Sequence, residues 1–177
     1  DGNDLAYYRE LYTEDRESKI DSLKLLRPKY KTKSGRTVYG GGGITPDIYI
    51  PYKSTLNSET AKVIRNPKRP IFNFASQYAS RYKENFLHFN NFKEDWTVSN
   101  SMLQDFFIYL DSDSIKVQKD SIINNDSEFL KNRIKSELAG SIWGKNENTN
   151  IRLSFDNQVI EALKHFNEAD AFIQSSN

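Results

Sequence analysis

Near residue 53 the chain changes its hydrophobic period, and that change does most to limit what it can fold into. Six of the eight glycines and every β-like alternation lie before it; behind it run long stretches with apolar residues three and four apart, separated by Asn/Ser/Asp-rich joints. A period of two lines one face of a strand, whereas a period near 3.6 lines one face of a helix. The pattern therefore predicts a mainly α chain, with a short β-containing segment ahead of a four-helix bundle-like domain.

Within that frame residues 3–17 read as a short helix, with Leu5, Tyr8, Leu11 and Tyr12 at helical spacing. Tyr30–Thr32 and Arg36–Tyr39 read as two short strands joined by Lys33-Ser34-Gly35, and Ile48-Tyr49-Ile50, closed by Pro51, as a third. Residues 54–69, polar and carrying Pro67, read as a linker between a segment 1–53 and a helical domain 70–177. Four helices are expected there. The first runs from Pro70 to about Glu84 with Ile71, Phe74, Ala75, Tyr78 and Tyr82 on one face. The second follows the N-cap Ser99, turning Met102, Leu103, Phe106, Phe107 and Leu110 inward. The third starts after Asp126, with Phe129, Leu130, Ile134, Leu138 and Ile142 in step, and ends at Gly144. The fourth spans about 151–173, with Val159, Ile160, Leu163 and Phe166 as its stripe. Short joints favour antiparallel neighbours.

Composition narrows the function classes. The 25 Lys and Arg against 24 Asp and Glu leave a net charge of +1, unlike the net basic domain of a dedicated nucleic-acid binder. The apolar share is lean but rests on 11 Phe, 10 Tyr and 2 Trp, and rings bury enough area each to build a core. With no Cys there are no disulfides and no thiolate metal sites. The longest apolar run, Phe106 to Leu110, is far too short to span a membrane. The chain opens at Asp1 in polar sequence, without Met, as a piece of a longer protein does.

The densest motif is Gly35-Arg36-Thr37-Val38-Tyr39-Gly40-Gly41-Gly42-Gly43-Ile44-Thr45-Pro46-Asp47-Ile48. Consecutive glycines are kept where side chains do not fit or φ must be positive. A phosphate-binding loop needs Lys-Ser or Lys-Thr after the glycines, and here Ile44-Thr45-Pro46 follows; the dinucleotide spacing also fails. A tight structural crossing between strands is the better account. The two histidines, His88 and His165, lack a second His at helical spacing. Asp111-Ser112-Asp113 resembles the opening of a calcium loop, but Lys116 stands where the loop needs Gly and Ile122 where it needs Glu, so it reads as a helix end and a polar turn. Seven cations between Lys19 and Arg36 face one acid, Asp21; a solvated basic loop, neutralised by the Glu14–Glu17 stretch, competes with a nucleic-acid face. The Phe/Tyr stripe of 71–92 reads as core, with a ligand groove as the other reading. No Gly-x-Ser-x-Gly elbow is present.

The segment Tyr30-Lys31-Thr32-x-x-Gly35-Arg36-x-Val38-Tyr39-Gly40-Gly41-Gly42-Gly43-Ile44-x-Pro46-Asp47-Ile48 resembles the tail of the catalytic domain in C-terminal processing peptidases, or tail-specific proteases. Its four-glycine form is similar to members from Bacteroidetes-type bacteria. The later patterns Ile71 to Tyr82, Phe92 to Trp96, Leu138-Ala139-x-x-Ile142-Trp143-Gly144 and Asp156-x-x-Val159-x-x-Ala162-Leu163 fit the same subgroup. The resemblance implies a parent serine endopeptidase with a Ser–Lys dyad, in which a lysine of burial-lowered pKa takes the serine proton. It also implies that nucleophile, lysine and PDZ module lie upstream, so no catalytic residue carries over and no cofactor or metal is called for. Residues 1–53 are then the closing end of the catalytic domain. Gly35, Arg36, Tyr39, Gly40, Gly41, Gly42, Gly43, Ile44, Pro46 and Asp47 form its structural motif. The helical tail would pack on the core or position unfolded polypeptide substrate, in an extracytoplasmic envelope compartment, with no membrane span and no nucleic acid. The competing expectation is a stand-alone helical module that binds a peptide or protein.

Overall fold

Ile71, Phe74, Ala75 and Ala79 are buried along one face of a helix, Pro70–Tyr82, whose first position is a proline that needs no N–H there. It belongs to a computed structural model that describes residues 27–33, 35–40, 48–50 and 56–174. The described residues are mainly helical: eight α-helices and one two-stranded antiparallel sheet. The strands are β1 (Lys29–Lys31) and β2 (Thr37–Tyr39). The helices are α1 (Ser58–Ile64), α2 (Pro70–Tyr82), α3 (Phe89–Glu94), α4 (Asn100–Ser112), α5 (Lys119–Ile142), α6 (Lys145–Leu153), α7 (Asn157–Leu163) and α8 (Phe166–Gln174). The chain divides into two units: residues 53–160 make one, and the residues before and after them make the other.

In the helical unit α5 is the central element, packing against α2, α6 and α1. Its Ile122, Leu130, Ile134, Leu138 and Ala139 are fully buried. From α4 come Met102, Leu103, Phe106, Phe107 and Leu110, the five residues that the spacing turns inward, and Ser99 caps that helix by accepting a hydrogen bond from the Met102 N–H at 3.1 Å. Rings knit α2 to α4: Phe74 meets Phe106 edge-on at 5.2 Å and Tyr109 at 5.7 Å. A second ring cluster joins Phe86, Phe89, Phe92, Trp96 and Trp143. Phe92 lies stacked on Trp96 at 4.8 Å and edge-on to Trp143 at 5.1 Å.

Four differences from the sequence expectation have physical causes. Residues 54–69, expected as a linker, hold α1, with Asn57 accepting from the Glu59 N–H and Val63 and Thr60 buried. The helix expected after Asp126 is there, but α5 also extends back across a break to Lys119. Asp126 sits at a break in α5 (φ −134°, ψ 20°), and the turn before it is helical because it buries Ile122. The fourth helix is three. Asp156 accepts hydrogen bonds from the Gln158 and Val159 N–H groups and starts α7, and the chain breaks again at Lys164–His165. Ile160, Leu163 and Phe166 of its expected stripe are exposed. Ile48–Ile50 is irregular rather than a third strand; Pro51 follows at once and cannot donate to a ladder. The expected helix at 3–17 lies outside the described residues.

Candidate functional site

The glycine motif is described over its first part. Lys29 pairs with Tyr39, Tyr30 with Val38 and Lys31 with Thr37. Thr32 organises the turn between them. Its carbonyl accepts from the Gly35 N–H at 2.9 Å, its N–H donates to the Arg36 carbonyl at 2.9 Å, and its hydroxyl accepts from the Arg36 N–H at 3.1 Å. Lys31 Nζ adds a bond to the Gly35 carbonyl at 3.1 Å. Gly35 turns the chain at φ +82°, a conformation that costs any residue with a Cβ. Gly40 continues the ladder, its N–H donating to the Pro28 carbonyl at 2.9 Å. The Tyr30 ring lies over it, so that a Cβ on Gly40 would fall 2.5 Å from Tyr30 Cε2. An aromatic laid over a strand glycine is a known way of covering bare backbone. Gly35, Arg36, Tyr39 and Gly40 are thus brought into one hairpin. Gly41, Gly42, Gly43, Ile44, Pro46 and Asp47 lie outside the described residues, as do Lys19 to Leu26 of the basic stretch and Glu14 to Glu17.

The other sequence candidates fall apart from this hairpin in the chain and in role. His88 precedes α3, its carbonyl accepting from the Phe92 N–H. His165, between α7 and α8, sits with Nδ1 3.2 Å from Glu168 Oε1 and Nε2 3.9 Å from Glu161 Oε1. Asp111 and Asp113 end α4, paired respectively with Lys119 and Lys68. The stripe of 71–92 supplies core at Ile71, Phe74 and Phe92 and leaves Phe72, Tyr82 and Leu87 exposed.

A residue that the sequence reading passed over is the buried lysine of α5. Lys135 is only 4% exposed; its ammonium donates to the Lys93 carbonyl at 2.7 Å and the Trp96 carbonyl at 2.5 Å, and stands 5.6 Å above the Phe92 ring. Burial pushes its pKa below the ordinary lysine value, while Asp95 pulls it back up. A lysine so shifted is the kind that activates a hydroxyl. Here, however, both of its partners are backbone carbonyls. Neighbouring Ser136 is buried with its hydroxyl donating to the Arg133 carbonyl at 2.9 Å on its own helix. The lysine clips the end of α3 and the loop after it onto α5. Its position was legible: Lys135 stands three and four residues before Leu138 and Ala139, on the buried stripe.

Two buried carboxylates make a comparable tie. Asp126 accepts from the Asn57 N–H at 2.8 Å, and Glu59 accepts from the Gln118 N–H at 2.9 Å and from Lys62 at 2.5 Å. The Lys62 hydrogen bond, then that of Gln118, holds the Glu59 carboxyl below its usual range. Among the described residues no helix is long and apolar enough to cross a membrane.

Residues 64–144, from the end of α1 to just past α5, match the model of a family of unknown function, DUF8443. No curated protein matches the chain, and no solved structure does.

Proposed function

We propose that this chain is the non-catalytic C-terminal portion of a C-terminal processing serine peptidase. Residues 1–53 close the catalytic domain, and the helical domain that follows serves as scaffold or positions unfolded polypeptide for cleavage. The observation that carries the reading is the motif from Tyr30 to Ile48, whose described part is a hairpin held by Thr32, Gly35 and Gly40. The helical unit supports it, because its most perturbed lysine is bonded to two backbone carbonyls, an architectural use. On this reading the partners are the catalytic core and PDZ module upstream, and the compartment is the cell envelope outside the cytoplasm.

Two measurements test it. Incubating the chain with unstructured polypeptides and with a serine-reactive fluorophosphonate probe should give neither cleavage nor labelling; serine-dependent turnover overturns the reading. Reading the coding sequence ahead of Asp1 should find a Ser–Lys dyad and a PDZ module within about 200–300 residues, on the scale of one or two domains. If it encodes neither, the second reading takes over: a helical module that binds a peptide or protein. The exposed Leu153, Phe155 and Ile160, which fall within eight residues of the chain, favour that alternative, since exposed apolar surface is what a contact site presents.

A further inference from the structure

Between the α1–α2 connection and the α4–α5 connection lies an open cleft of about 430 Å³, and four cations line it: Lys62, Arg65, Lys68 and Lys116. Buried Ile115 contributes to its wall. The two sides come from chain segments some fifty residues apart, so the charges meet through the fold and not through a basic run.

Two of the four have local posts. Lys62 pairs with Glu59, and Lys68 donates to the Asp113 carbonyl at 2.7 Å and to its carboxylate at 3.3 Å, where a cation also complements the C-terminal end of α4. The side chains of Arg65 and Lys116 have no hydrogen-bond or ion-pair partner among the described residues, and both residues are exposed. Four cations against two paired carboxylates leave the cleft with two uncompensated positive charges. Like charges held together in a concave site repel one another and focus a positive field into it. The loop that supplies Lys116 is itself costly, with Ser114 held at φ +59°, a left-handed conformation that serine seldom adopts.

We infer that this cleft binds a phosphoryl dianion, free or as the terminal group of a small molecule, with Arg65 and Lys116 as its principal contacts. A doubly charged oxyanion matches the two uncompensated charges, and the planar guanidinium of Arg65 can donate two parallel hydrogen bonds to such a group. Lys62 and Lys68 close the positive rim from posts they already hold. The site lies in the helical unit and is independent of the peptidase reading.

The full chain, isotope-labelled, is titrated with inorganic phosphate, with glycerol 3-phosphate and with chloride at matched ionic strength, and followed by amide chemical shifts. Saturable shifts confined to residues 62–68 and 113–117, with a dissociation constant of about 1 mM or tighter, are expected for the phosphates and not for chloride. Tighter binding of the ester than of the free ion assigns the site to a phosphorylated small molecule; equal binding assigns it to the ion. Arg65→Gln and Lys116→Gln should each weaken binding about tenfold. Both side chains are exposed, so their melting temperatures should match the parent's, and Lys131→Gln on α5 is the silent control. Shifts that fail to saturate by about 20 mM, that spread over the whole surface, or that survive both substitutions overturn the site.

Discussion

A methyl group placed on Gly35 meets nothing within 4 Å, whereas one placed on Gly40 collides with the Tyr30 ring. Space alone would make Gly35 the tolerant position, but the backbone reverses the order. Gly35 sits at φ +82°, so Gly35→Ala should destabilise the hairpin by about 1–2 kcal/mol, the cost of a left-handed L-residue. The Tyr30 ring is 59% exposed and free to swing off Gly40, so Gly40→Ala should cost less than about 0.5 kcal/mol, within the range of a surface substitution. Amide exchange at Lys31 and Tyr39 reads both; equal losses would mean that the Tyr30 ring is pinned. Lys135 poses a different residue-scale question, because its two carbonyl acceptors are left without a donor if it is replaced. Lys135→Met keeps the stem volume and should cost about 1–3 kcal/mol by urea unfolding. Its pH dependence follows from burial. The folded chain holds the Lys135 proton less tightly than the unfolded chain, so between the lowered folded value and 10.5 the unfolded state binds more protons and this group's contribution to stability rises with pH. Tyr78, raised by burial and by the Tyr82 and Asp105 charges, has the opposite effect, losing stability as pH climbs past 10. Parent-minus-variant stability should therefore increase with pH for Lys135→Met just below 10.5 and decrease for Tyr78→Phe above 10.

At the scale of elements, α1 and the broken α5 are held to each other by carboxylates accepting from backbone N–H groups. Glu59 receives the Gln118 N–H at the start of α5, and Asp126 receives the Asn57 N–H at its break. Because the Glu59 carboxyl is held below 4.5, its contribution is fully present above that pH and is lost as pH falls through the folded value. Glu59→Gln should lower the melting temperature at pH 7, and the gap should shrink as pH falls below 4.5. A gap that persists into acid would assign the effect to shape rather than charge. These ties also explain which helices could be read in advance. α2 and α4 each carry four or five buried apolar residues at helical spacing over thirteen residues, a signal long enough to stand alone. In α1 the buried residues are Glu59, Thr60 and Val63, so two of the three positions that face the core look like surface in the sequence. Asp126 and Asp156 are both N-cap types. Asp126 reads as a helix start and marks the break in α5, while Asp156 reads as helix interior and begins α7. The Asp126 carboxylate also accepts from the Asn57 N–H, a partner 69 residues away that no local pattern announces.

Among the described residues of the molecule, the buried apolar core runs from Val63 to Ile151, within the unit 53–160. The hairpin carries the motif that the functional reading rests on, yet its strands are three residues each, too short to be stable without further partners. The sequence therefore announced the hairpin by its glycines, while the phosphoryl cleft, assembled from Lys62–Lys68 and Ser114–Lys116, left no local signature because neither segment is basic enough to notice alone. If the core is self-sufficient, a chain cut to 53–160 should melt in one cooperative transition within about 5 °C of the full protein, a shift that corresponds to about 1 kcal/mol for a domain near 100 residues. It should keep near-ultraviolet circular dichroism from Trp96 and Trp143, whose rings are fixed against Phe92 and Phe89. Cutting after Ile160 removes the last turn of α7 and all of α8, and none of residues 161–171 there is buried. Retained helix content with a lost near-ultraviolet signal and dye-binding apolar surface would instead describe a loosened core, and the aromatic packing would then depend on residues outside the unit.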